Sequence, residues 1–215
     1  MQPGAEVARG APRRPDDGRL ERGRRSRARI RIAARELFRA KGFDATTLRA
    51  IAARAGMGAS SIYRHFSTKE ELLVQELADL QEEAWARFRS RDDRGHPTRE
   101  RVRRFFRAQH ELLAADPDLT VIALRATTHP GARVSRRVLA LHDRAIGLLA
   151  EVLQRGRSAG DLDRRVDVLT AARALFHAAS GARLSWANGQ LSEDGCRAAV
   201  EDHVKLLFRG IGAAG

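Results

Sequence analysis

A chain of 215 residues with 43% hydrophobic and 31% charged side chains is long enough to bury a core and reads as soluble and globular. Its formal charge of +13, from 40 Lys and Arg against 27 Asp and Glu, favours a polyanionic partner, with nucleic acid ahead of an anionic membrane surface. No apolar run approaches the roughly 20 residues that span a bilayer, no apolar secretory stretch opens the chain, and a lone cysteine, Cys196, forms no internal disulfide; the expected setting is cytoplasmic, with no membrane.

Residues 1–25 combine Pro, Gly and dense charge with almost no bulky apolar groups, so burial cannot offset the entropy of ordering. They predict a disordered basic arm, one that either tracks DNA phosphates or stays solvated. The charge is concentrated here and just beyond, with 17 basic against 8 acidic side chains in residues 1–75. From Ser26 the pattern turns helical: Ile30, Ala33, Ala34 and Leu37 share one helix face, and Gly42 marks the stop. Leu48, Ile51, Ala52 and Ala55 repeat the spacing in a short second helix, with Thr47 placed to cap it and Gly56 to end it. A third helix is predicted from about Gly58 to His65. Ser67-Thr68-Lys69-Glu70 then has the form of a capping box, opening a long helix striped by Leu73, Leu77, Leu80, Ala84 and Phe88.

Helical periodicity continues to the end. It predicts a helix from about Val102 to Leu113 stopped at Asp116-Pro117, a short piece over Leu119 to Ala126, and a long helix over Val134 to Leu153. Gly156 to Asp163 reads as a loop, followed by helices over about 166–186 and 192–211. No segment alternates with the period of a strand, so essentially no sheet is expected.

The second and third helices, joined through "RAGMGAS", suit a helix-turn-helix, because glycine permits the sharp turn between them. Ile62 and Phe66, four apart, would lock the third helix inward. Ala59, Ser60, Tyr63 and Arg64 then face out, offering close backbone approach and donors to bases and phosphates. Lys69, at the start of the next helix, suits a phosphate. The alternative for Tyr63 is an ordinary half-buried core tyrosine.

Over roughly residues 27–73 the elements Ala-Ala-x-x-Leu-Phe, Gly-Phe-x-x-Thr-Thr, Ile-Ala-x-x-Ala-Gly and Tyr-x-His-Phe-x-x-Lys occur in order. This run resembles the DNA-binding region of the TetR family of bacterial transcriptional regulators. The resemblance implies an all-α fold: a three-helix helix-turn-helix DNA-binding domain over 26–75, then a helical effector-binding and dimerisation domain over 76–215. It implies phosphate-side contacts from Thr47, Tyr63, His65 and Lys69, and base-facing positions at Arg49, Ala59, Ser60, Ser61 and Arg64. It further implies a dimeric repressor on a palindromic double-stranded DNA operator, released by a small hydrophobic effector. Composition alone also fits a sequence-independent architectural DNA-binding protein. Two positions depart from the family pattern. Arg31 stands where an apolar residue is frequent, and Gly58 stands where a serine is frequent and brings no hydroxyl.

In the second domain, Leu175, Ala178, Ala179, Ala182 and Trp186 form a small-residue stripe, and Val200, Val204 and Leu207 form another on the last helix. These faces predict the homodimer interface; the alternative is that they feed the monomer core. Polar groups interrupt apolar faces among Phe105, Phe106, Gln109, His142, Phe176, His177 and Ser180, as expected of a cavity for a small hydrophobic effector. Neither metal-ligand spacing nor a nucleophile-base arrangement is evident, so no cofactor, no metal and no enzymatic activity are expected.

Overall fold

The computed structural model describes residues 15–128 and 130–211. Among them are nine helices and no extended strand. In chain order they are α1 (Pro15–Lys41), α2 (Leu48–Arg54), α3 (Ala59–Tyr63), α4 (Lys69–Arg91), α5 (Thr98–Ala114), α6 (Pro117–Thr128), α7 (Ala132–Ala159), α8 (Val168–Ala187) and α9 (Glu193–Ile211).

The first helix is longer than its apolar pattern. Residues 15–25, assigned to a disordered arm on composition, are helical, whereas residues 1–14 of that arm lie outside the described residues. Pro15 takes the first helical position, where its missing N–H is not needed, and Glu21 pairs with Arg25 one turn on at 2.5 Å. Such local pairing extends a helix without a core. From Ile30 onward the helix joins α2 and α3 around Ile30, Ala34, Ile51, Ile62 and Phe66, all buried, and Leu72 and Leu73 of α4 close the cluster. Gly42 and Gly56 have φ of 80° and 63°, left-handed values that end α1 and turn α2 toward α3.

The cap of α4 sits one residue later than the box read from the sequence. Thr68, not Ser67, is the N-cap, and its hydroxyl accepts from the Glu71 N–H at 3.1 Å. Glu71 then reaches back to the Ser67 N–H at 2.5 Å. Thr68-x-x-Glu71 is a variant of that box, its return bond reaching the N–H one residue before the cap, because Ser67 still belongs to the turn.

Past Leu77 the chain packs α4 to α9 into one bundle. Trp85, Phe88 and Phe105 meet at its centre with ring centroids 5.3 to 5.8 Å apart. The loop predicted from Gly156 to Asp163 starts four residues later: residues 156–159 are the last turn of α7, which ends at Gly160 with φ 88°. Gly156 serves close approach: a Cβ there would lie 2.0 Å from Thr98 Oγ1, which is held by Asp161 at 2.7 Å. Gly156→Ala should therefore destabilise the fold by about 1–3 kcal/mol, read from urea unfolding.

Most of the predicted dimer stripe is internal to the chain. Leu175, Ala179, Ala182, Trp186, Val200 and Val204 are buried within the single chain, and Leu207 packs partly against the same core. Because α8 lies between α7, α6 and α9, its small-residue face is consumed inside the chain; only Ala178 of its predicted contacts stays partly accessible. Arg31, neither solvent-directed nor a packing defect, pairs with the buried Glu76 and with Asp79 of α4, at 2.9 Å for the latter.

Candidate DNA-binding head and effector cavity

The head presents a short α3 outward. Thr47 caps α2, its hydroxyl accepting from the Ala50 N–H at 3.2 Å, and both it and Arg49 are exposed. Ala59 and Ser60 are exposed at the start of α3, Ser61 is partly so, and Tyr63 keeps 50% of its surface. That exposure leaves half of the Tyr63 side chain open to a partner. Gly58 precedes α3 with no side-chain cap, as its lack of a hydroxyl requires. Arg64, the C-cap, folds back to donate to Ser61 Oγ at 2.9 Å, which holds the guanidinium along the exposed side of α3. The structure thus leaves Thr47, Arg49, Ala59, Ser60, Tyr63 and Arg64 exposed on the head.

His65 and Lys69 are more constrained. His65 is half-buried, and burial first, then the charges of Arg27 and Arg64, lowers its pKa below the usual histidine value. Near neutral pH it is an uncharged imidazole with a single N–H to give. The Lys69 ammonium donates to the carbonyls of Phe43 at 2.6 Å and Asp44 at 3.1 Å, and lies 4.2 Å from the Phe43 ring centroid. Two of its donors pin the turn after α1, leaving one for a phosphate. Composition and spacing missed Arg29, which donates to the carbonyls of Ala55 and Gly56 and clamps α1 on the end of α2.

In the bundle, α4, α5, α6, α7 and α8 enclose a cavity of about 300 Å³. Its walls are mainly Leu77, Leu80, Leu113, Leu124, Leu141 and Phe176. Gln109, His142 and Ser180 line it as predicted. Phe105 is instead wholly buried in the aromatic cluster, Phe106 lies behind the wall against Arg183, and His177 is exposed on α8. Burial first, then His177, lowers the pKa of His142, so the imidazole in the wall is neutral. The wall residue that sequence reasoning missed is Arg183. Its signal was present: Ala172, Phe176, Ala179, Arg183 and Trp186 alternate at four and three, which places the arginine on an inward face.

Residues 30–75 match the bacterial regulatory proteins of the tetR family, and residues 95–209 match the tetracyclin repressor-like C-terminal domain. The chain belongs to the TetR family. That family is one of helix-turn-helix transcriptional regulators, not of enzymes. Within the TetR family, similarity to curated relatives covers only part of the chain. The Escherichia coli (strain K12) regulator UidR is 39% identical over 64 residues, covering 30% of this chain and 33% of that protein. The Mycobacterium tuberculosis (strain H37Rv) transcriptional repressor KstR2 is 35% identical over 80 residues, 37% of this chain and 40% of its own. The chain thus matches well under half the length of these relatives. Similarity in structure extends further. Thermus thermophilus FadR, a TetR-family repressor in complex with lauroyl-CoA, superposes with a TM-score of 0.68 at 27% identity over 88% of this chain and 96% of its own. Among the described residues no helix is long and apolar enough to cross a membrane.

Proposed function

We propose that this TetR regulator is a cytoplasmic homodimeric repressor that binds a palindromic operator and is released by a small hydrophobic effector of acyl or aromatic type. Residues 26–75 form the reading head and residues 76–215 the effector and dimer domain. One observation carries the coupling: α4 starts at Lys69 beside the head and, two turns on, lines the cavity with Leu77, Leu80 and Gln81. An effector wedged against those side chains binds one tilt of α4 better than another, and a differential of about 1–3 kcal/mol suffices for regulation. The lauroyl-CoA complex of the Thermus FadR, and the name of KstR2, support an acyl-type effector and repression respectively.

In the dimer, the exposed sides of α8 and α9 meet, where Leu206 is 62% exposed beside the partly buried Leu207 and Phe208. Two recognition helices then lie one DNA turn, about 34 Å, apart. Thr47, Tyr63, His65 and the remaining donor of Lys69 serve phosphates, while Arg49, Ala59, Ser60, Ser61 and Arg64 face bases. Lys69→Ala separates its two roles. Loss of a phosphate contact lowers affinity on every sequence and reduces the salt slope by about 1 per head, whereas loss of the turn anchor alone lowers stability at an unchanged slope. The expected result is both.

The test of the whole reading is selection of bound fragments from genomic DNA at about 150 mM salt, followed by footprinting. Protection of an inverted repeat in two half-sites is expected. Uniform, salt-sensitive binding without a preferred site would replace this reading with a sequence-independent architectural role.

A further inference from the structure

Cations held largely inside a folded protein are paired, and Arg183, partly exposed but with its Nε buried, is not. Its Nη2 donates to Gln109 Oε1 at 2.7 Å, its guanidinium lies 5.7 Å from the Phe106 ring centroid, and its Nε is buried with no partner. Among the described residues no carboxylate forms an ion pair with it. Glu201, which shares a small pocket with it, is paired instead with Arg103 and Arg107. Burial, and then Arg183 itself, lowers the His110 pKa and keeps that imidazole neutral, while burial raises the Cys196 thiol. Burial pushes Arg183 down to about 10, which leaves it cationic at neutral pH. The side chain retains some accessible surface and lines the effector cavity, and on its other side a much smaller pocket shared with Phe106 and His110.

We infer that Arg183 is the anchor for an acidic group on the effector, so that the cavity takes an amphiphile whose apolar body lies along the leucines and whose carboxylate or phosphate meets the guanidinium. This rests on the reading of the cavity as the effector site. Gln109 holds the arginine fork through its carbonyl oxygen and keeps an NH₂ donor for the same acid. Arginine suits this task because its planar fork pairs with two acid oxygens at once. At about 300 Å³ the cavity is at the small end of ligand sites, enough for the body of a medium-length acid but not for a whole coenzyme adduct. A free acid places its own carboxylate at Arg183, and a coenzyme thioester reaches it only through a phosphate.

Calorimetric titration of the full chain with decanoate, 1-decanol and decanoyl-CoA tests this, on the wild type, Arg183→Met and Arg183→Lys. Wild type should prefer decanoate to decanol by about tenfold or more. Arg183→Met should lose that preference while still binding decanol, and its ligand-free melting temperature should not fall, because an unpaired cation has been replaced by an apolar chain of similar length. Arg183→Lys should keep part of the preference. Tight, Arg183-dependent binding confined to decanoyl-CoA would assign the acid to a phosphate and support the same anchor. Equal binding of acid and alcohol by the wild type, or an unchanged preference in Arg183→Met, would overturn the anchor while leaving the effector site standing. Binding of none of the three would remove the site and the anchor together.

Discussion

The double variant Arg31→Ala with Arg35→Ala should unfold more easily by about 3 kcal/mol, the lower end of the cost of leaving a buried charge without its partner. The Glu76 side chain is 2% exposed, and its two oxygens face Arg31 and, at 3.0 Å, Arg35. Those arginines are 31% and 35% exposed, so part of the gap left by truncating them will be filled by water, which keeps the estimate low. Each single variant should cost much less, because one cation remains against the carboxylate. Urea unfolding of the three variants checks this, and equal losses in single and double variants would show that Glu76 does not depend on the pair.

The position of the knot gives it a functional reading. Glu76 immediately precedes Leu77, a cavity residue, while Arg31 and Arg35 belong to the first helix of the head. In the proposed coupling, movement of α4 against an effector would pull on this charged link to the head. Replacing all three groups with Met and Leu should restore most of the stability, since apolar packing often equals a buried ion pair. Operator release by effector should nonetheless weaken in that triple variant.

The head was legible in the sequence because its determinants are local. The glycines at 42 and 56 take left-handed φ values that only their position in a turn explains, and Thr47 caps the helix it precedes. What was misread depends on contacts distant in sequence. Gly156 resembles a loop glycine until Thr98 is seen packed against it. The α8 stripe has the composition of a helix-helix interface, but spacing cannot say whether the facing helix belongs to the same chain or another. Arg31 looks like a departure because its partners lie 45 and 48 residues further on, at Glu76 and Asp79. Composition likewise fails at residues 15–25, where a helix forms from local charge pairing and continuity with a buried helix rather than from its own apolar face.

Arg64→Ala should produce the largest loss of specific DNA affinity. An arginine that reads a base contributes about 1–3 kcal/mol to discrimination, and the proposed dimer carries the residue twice, so the operator complex should weaken by about 2–6 kcal/mol. The short length of α3 makes this possible for a residue at its end. Five helical residues span only about 7.5 Å, so an arginine at the C-cap still reaches the groove entered by Ala59 and Ser60. The hydrogen bond to Ser61 already orders its fork, which reduces the entropy lost on binding. Tyr63→Phe, by contrast, removes one hydroxyl and should weaken all sequences alike. The discriminating measurement is affinity for the operator and for a series of single-base variants. If Arg64 reads a base, its alanine variant loses discrimination at one symmetric pair of positions and retains it elsewhere. An equal loss at every position would place its guanidinium on the phosphate backbone, and specificity would then fall to Arg49 and the small residues that open α3.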